Sequence, residues 1–341
     1  MILEKPVLVQ DAGINWIQSN STDTNVFALC ITSTGRIIAS FFGNGIWYSD
    51  DNGVNWTRSI ETTDAQMLCI TATGRIIAAN IYYQSYILCS DDNGETWSQI
   101  NITGMNCGVL YVLPTGQIIA SGSSGTYRSS DNGVSWTRLD NDSDKFYFSE
   151  IHRTVTGRLI VGNANKWGIW YSDDNGETWV QSNKTNNHWS GLCTTKTGKI
   201  IVANTENDIW LYSDNDGATW SQIDSNNVTS GQVAHTCVTS NGRIVAICNN
   251  FSSSVFSVWY SDDNGVNWAQ AQQSIETQEP WQVIRITNTG RIVIGGHNIG
   301  VYYSDPTYTM RDTYMSKPLT GAQARQLVAE CKEYVQELKQ S

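Results

Sequence analysis

Ser49-Asp50-Asp51-Asn52-Gly53-Val54-Asn55-Trp56 decides the fold, because the same pattern returns from Ser90 to Trp97, Ser129 to Trp136, Ser172 to Trp179, Ser213 to Trp220 and Ser261 to Trp268. The starting serines lie 41, 39, 43, 41 and 48 residues apart by subtraction. A period of that length marks stacked supersecondary units. In each copy a short acidic side chain can accept hydrogen bonds from its own turn, glycine supplies a positive φ, and tryptophan opens the next strand with a large apolar surface. The turn-capping positions are Asp51, Asp92, Asp131, Asp174, Asn215 and Asp263, and Asn215 keeps the capping oxygen without the charge. Asp11 opens a further copy, Asp11-Ala12-Gly13-Ile14-Asn15-Trp16, which lacks its serine.

The rest of each period reads as strands. A glycine turn precedes each copy, at Gly35, Gly74, Gly116, Gly157, Gly198 and Gly242, and a seventh stands at Gly290, each flanked by β-branched runs such as Arg36-Ile37-Ile38-Ala39. The order is strand A, glycine turn, strand B, loop, strand C ending in Tyr-Ser-Asp or a near variant, then the Asp-containing turn and strand D. Four antiparallel strands per period make a propeller blade. The seventh unit stops after Tyr303-Ser304-Asp305 without its turn, so its strand D is expected from the residues near Trp16. That closure removes the free sheet edges that invite aggregation.

The pattern Ser-x-Asp-x-Gly-x-(Thr/Asn/Ser)-Trp resembles the Asp-box of sialidases, sortilin-type receptors and photosystem assembly factors, a family of β-propellers. The expected fold is all-β: a seven-bladed β-propeller over residues 1–305 with four-stranded antiparallel blades, closed by the N-terminal strand. A connector is expected over 306–319 and a short C-terminal α-helix over 320–341. Thr320 and Gln323 stand in capping-box spacing there, and Leu327, Cys331, Tyr334 and Leu338 recur at three and four residues. That stripe points to self-association or to docking back on the propeller.

Composition excludes several classes. The chain has 341 residues, a formal net charge of −11, 14 Trp and 15 Tyr. Such acidity disfavours nonspecific nucleic-acid binding, which needs a basic footprint. No run of eighteen apolar residues suggests membrane insertion, and no secretory signal is visible at Met1-Ile2-Leu3-Glu4-Lys5, so cytoplasmic synthesis is expected. Cys30, Cys69, Cys193 and Cys237 all stand five residues before a hairpin glycine, where the other blades carry Tyr111, His152 and Arg285. They read as small packing residues with reduced thiols; no Cys-x-x-Cys or His pair at ligand spacing supports a metal site, and no cofactor is expected. The basic residues after the glycines, such as Arg36, Arg75, Arg158, Lys199, Arg243 and Arg291, share an end with the acidic boxes and read as local ion pairs.

Strand topology leaves the B–C loops and the D–A connections for the opposite end, where sialidases, by resemblance, hold their active site. Candidate ligand-binding residues there are Phe42, Asn80, Tyr82, Tyr83, Asn163, Trp167, His188, Trp189, Asn204, Asn249, Trp281 and His297. Flat rings beside amides suit the faces and hydroxyls of sugars. The sialidase catalytic signature is missing, since none of the five prolines follows an Arg-Ile pair and most arginines belong to the hairpin turns. The reading is therefore a non-enzymatic module that binds a glycan or glycoprotein receptor, an architecture that suits a viral or phage receptor-binding protein associated with a virion. The alternatives are a glycoside hydrolase using a carboxylate pair among Asp144, Glu150, Glu206, Asp208, Glu276 and Glu279, and a protein-binding scaffold.

Overall fold

A computed structural model describes residues 8–10, 16–20, 25–61, 65–79, 86–102, 104–139, 147–163, 168–183, 188–204, 210–223, 232–250, 255–271, 280–304 and 308–310. Seven four-stranded antiparallel sheets form a seven-bladed propeller. In the first six blades the strands follow chain order from the axis outward, so the first blade runs Val26–Ile31, Ile37–Phe41, Gly45–Ser49 and Thr57–Ile60. The innermost strands are Val26–Ile31, Met67–Ile70, Val109–Val112, Phe148–Arg153, Trp189–Thr194, Gln232–Val238 and Trp281–Ile286. Each neighbours the next, and the seventh returns to the first.

Closure follows the sequence expectation. Trp16–Gln18 pairs antiparallel with Gly300–Ser304, with Trp16 opposite Ser304, and supplies the outer strand of the seventh blade. Trp16 is buried in the same cluster as Trp281, Ile284 and Ile294. Leu8–Gln10 and Tyr308–Met310 pair antiparallel in a separate compact unit, so three residues of the stretch read as a connector form a strand. Asp11 and the helical stripe of Leu327, Cys331, Tyr334 and Leu338 lie outside the described residues.

Apolar side chains from facing sheets fill the gaps between blades. The second strands are fully buried, as in Ile37–Phe41 and Ile292–Gly296, which fits their near-continuous apolar sequence. Box glycines make this contact close. A Cβ on Gly133 would meet Ile77 Cδ1 of the preceding blade at 2.5 Å, and one on Gly217 would meet Ile160 Cδ1 of the fourth blade at 2.5 Å. Blade-to-blade register is therefore set where the turn has no side chain.

Every described box closes by the same hydrogen bonds. Ser49 Oγ accepts from Gly53 N–H at 2.9 Å and donates to Asp51 Oδ1 at 2.8 Å, while Asp51 accepts from the backbone N–H of Asn55 at 2.8 Å. Asn52 and Gly53 both take positive φ, 59° and 90°, which the turn requires. Burial would raise the Asp51 carboxyl, but hydrogen bonds from Asn55, Ser49 and Val54 outweigh it and hold the group below its ordinary value. In the fifth blade Asn215 reproduces the arrangement, accepting from Thr219 N–H at 2.9 Å.

Candidate functional site

The Asp-box end is internally paired. Arg36, Arg75, Arg158 and Arg243 meet Asp50, Asp91, Asp173 and Asp262 at 2.7–2.8 Å, and Lys199 meets Asp214 at 3.7 Å. The guanidinium groups of Arg36, Arg158 and Arg243 also lie over the rings of Tyr48, Tyr171 and Tyr260. A second arm joins adjacent blades: Arg36 Nη1 donates to Asn93 O at 3.2 Å, Arg75 to Asn132 O at 3.3 Å and Arg158 to Asp216 O at 3.0 Å. Arg291 donates to Asn52 O at 3.4 Å, so the seventh blade grips the first as the others grip their neighbours. These cations serve the ring, as the local ion-pair reading holds.

At the opposite end the candidate residues divide. Trp189 and Trp281 are 1% and 0% exposed, with Trp189 packed on Ile160 and Leu192 and Trp281 edge-on to Tyr302 at 5.7 Å. They are core residues, a correction to their reading as ligand platforms. Five blades carry a register shift at the start of the innermost strand, between Val26/Ala28, Phe148/Glu150, Ser190/Cys193, Val233/His235 and Trp281/Val283. A bulge re-aims the residue beside it, and here the position nine before the hairpin glycine turns between blades. Its occupants Val26, Ala65, Cys107, Phe148, Trp189, Val233 and Trp281 are all buried.

Two of the amides, Asn204 and Asn249, are buried. Asn249 Nδ2 donates to Trp281 O and Asn249 Oδ1 accepts from Trp281 N–H, both at 3.0 Å, so one side chain replaces a missing ladder contact between the sixth and seventh blades. Asn204 is buried at 1% exposure in the fifth blade. Asn163 ends a second strand, opposite Phe148. Asn80, Tyr82, Tyr83 and Trp167 lie outside the described residues, as do Asp144, Glu206, Asp208, Glu276 and Glu279. Glu150 is not a loop residue: it belongs to the innermost strand Phe148–Arg153.

Of those that remain, Phe42 and His297 stand at the junction of the seventh and first blades. Phe42 is 46% exposed and its ring lies 5.4 Å from that of Phe27. Beside it, Asn25 Oδ1 accepts from Asn298 N–H at 2.8 Å and ties the two blades together. Asn298, at φ 56°, pairs its amide with His297 Nδ1 at 3.0 Å. His188 is half-buried next to Trp189. The sequence reading contained Phe42, His188 and His297 but missed Phe27, which meets Phe42 within the first blade, and Asn25, whose bond to Asn298 arises only when the ring closes.

A second set of groups stands on the axis. The positions seven and five before the hairpin glycine are Glu150 and His152 in the fourth blade, His235 and Cys237 in the sixth, and Arg285 in the seventh. Glu150 Oε2 accepts from Leu192 N–H at 2.9 Å, and its Oε1 faces His235 Nδ1 at 3.9 Å. His152 Nε2 lies 2.6 Å from Thr194 Oγ1, and burial lowers its imidazole below the ordinary histidine value. Burial holds the Cys30 and Cys193 thiols up at about 12, so they pack rather than react. The seven described cysteines carry free thiols. Among the described residues no group of three or more acid, imidazole or thiol side chains stands at metal-holding geometry, and no helix is long and apolar enough to cross a membrane.

The BNR/Asp-box repeat model matches residues 47–58, 88–99 and 170–181, so the chain carries Asp-box repeats on a seven-bladed propeller. No curated protein matches the sequence. Among solved structures, YCF48 bound to D1 peptide superposes with a TM-score of 0.66 at 15% identity, covering 89% of this chain and 100% of that one. A catalytically inactive virginiamycin B lyase from Staphylococcus aureus, solved with quinupristin, gives 0.67 at 11% identity over 85% and 98%. The GH74 xyloglucanase from Xanthomonas campestris gives 0.66 at 13% identity; the alignment covers 88% of this chain and 54% of the enzyme. At such identities these likenesses establish the fold alone.

Proposed function

We propose that this Asp-box propeller is a non-enzymatic recognition module that binds a glycan, or a glycosylated receptor, on the end opposite the boxes. The observation that carries this reading is the contrast between the two ends. Cations at the box end are occupied by Asp50, Asp91, Asp173, Asp214 and Asp262. The other end presents the exposed ring of Phe42 against half-buried Phe27, beside the His297 and Asn298 polar groups. A ring face with adjacent donors and acceptors is what a pyranose needs: stacking on its C–H face and hydrogen bonds to its hydroxyls. Self-association through Leu327, Cys331, Tyr334 and Leu338 is part of the proposal, because several weak sites on one particle raise avidity. A viral or phage receptor-binding head is the setting that combination fits.

A glycan array on the intact chain, paired with a general glycosidase assay, tests the reading. Binding without turnover is expected, and Phe42→Ala should weaken it about two- to tenfold, the range of an aromatic contact worth about 0.5–1.5 kcal/mol. Phe42 is half exposed, so the variant should keep its fold. Hydrolysis of any arrayed glycoside overturns the non-enzymatic reading; capture of peptides but no glycan replaces the sugar with a protein partner.

A further inference from the structure

The axis of the ring holds charges that the fold does not require. Across the seven innermost strands the fully charged residues are Glu150, Arg153 and Arg285. Arg285 and Glu150 belong to the seventh and fourth blades, three places apart, the widest separation that a ring of seven allows. Arg285 is flanked by Cys30 and Cys237 from the adjacent blades and feels Glu150 across the axis. The two do not touch as an ion pair: Arg285 Nη1 donates only to Ile284 O of its own strand, at 2.8 Å. Its other N–H groups meet no protein acceptor among the described residues, although the side chain is open to solvent along the axis.

Glu150 is held from the other side. Leu192 N–H fixes Oε2, leaving Oε1 open apart from His235 at 3.9 Å. The equivalent residue of the blade between Glu150 and His235 is Gly191, at φ +64°. A Cβ there would meet Val233 Cγ1 at 2.8 Å. Thus a guanidinium and a carboxylate stand in blades on opposite sides of the axis, each with hydrogen-bonding capacity unspent.

We propose that the axial channel is a binding site for a small zwitterion of the amino-acid class, its carboxylate on Arg285 and its ammonium on Glu150 Oε1. The planar guanidinium fork suits a carboxylate bidentately. A simple anion placed there would face the Glu150 charge, and a simple cation would face Arg285. Only a ligand carrying both charges pairs with both groups. This site lies apart from the sugar-binding surface and stands independently of it.

Calorimetric titration of the full chain with glycine, β-alanine and γ-aminobutyrate, against acetate and ethylammonium, tests the site and measures the gap. At least one of the amino acids should bind, with acetate and ethylammonium at least tenfold weaker. Arg285→Gln and Glu150→Gln should each lower that affinity at least tenfold at an unchanged melting temperature. If Arg285→Gln misfolds, Glu150→Gln decides alone, since it keeps the size of the side chain and the Leu192 contact. The proposal falls if no amino acid of the series binds, if acetate binds as tightly as the best of them, or if Glu150→Gln leaves the affinity unchanged.

Discussion

Trp281→Ala separates a core residue from a ligand platform. The indole is fully buried at the start of the seventh blade, set edge-on to Tyr302 at 5.7 Å and clustered with Trp16, Ile247, Val258, Ile284 and Ile299. Truncating a buried tryptophan leaves a cavity and costs about 3–5 kcal/mol. With roughly 2.1 cal/mol/K of unfolding entropy per residue over the Ala12–Thr307 unit, that loss corresponds to a melting temperature lower by roughly 5–8 °C. Trp281 Nε1 is buried without a hydrogen-bond partner. Trp281→Phe therefore sacrifices volume but no polar contact, and should cost well under half as much. Urea and thermal unfolding of the two variants, followed by tryptophan fluorescence and far-UV circular dichroism, give the comparison. A Trp281→Ala protein that unfolds like the parent yet loses ligand would refute the core assignment and restore the ring to the surface.

Two further outcomes follow from the ring. Deleting residues 1–18 removes the partner of Gly300–Ser304 and opens the seventh blade, so the shortened chain should aggregate or melt far below the parent, and equal melting would disprove closure by the N-terminal strand. Acid should loosen the boxes. The Asp92 carboxyl is held down to about 2 by hydrogen bonds from Thr96, Ser90 and Glu95, and Asp131, Asp174 and Asp263 are also lowered. A carboxyl depressed in the folded state contributes stability that is full above its unfolded value of about 3.9 and is lost as pH falls toward the folded value. Stability should therefore drop between about pH 4 and pH 2. Asp92→Asn, which copies the neutral Asn215 box, should shrink that drop; an unchanged acid profile would assign the loss to other groups.

The repeat made the ring legible before any coordinates. Box, hairpin glycine and apolar strand recur with the blade, and even the missing outer strand could be placed at Trp16 because an incomplete unit stands at each end of the propeller. The site was less legible for a physical reason. Trp189 and Trp281 open the innermost strands, next to stretches whose loop composition suggests solvent, but a bulge turns that position between the blades. The signal was available in the other blades, whose equivalents Val26, Cys107, Phe148 and Val233 are apolar. Asn249 misled in the opposite way: a polar side chain in a loop-like stretch is spent on Trp281 backbone groups 32 residues away, a contact that no local pattern encodes.

In a chain built by repetition, what the fold needs is what recurs, and a departure that costs stability calls for another explanation. Seven residues before the hairpin glycine the other blades manage with Ala28, Met67, Val109, Gly191 and Val283. Glu150 and His235 replace such residues with groups that lose hydration in the channel. Five residues before the glycine, Arg285 stands where four blades carry cysteine. Apolar or thiol side chains at these positions already build blades one, two and three. The desolvation cost of Glu150 and His235 in blades four and six thus brings no structural return that the remaining blades lack. Arg36, Arg75 and Arg158 show the contrasting case: each is charged, each recurs, and each is matched by an aspartate and a neighbouring blade's carbonyl. By that comparison the axial charges, not the periodic ones, are the groups left with an interaction to make.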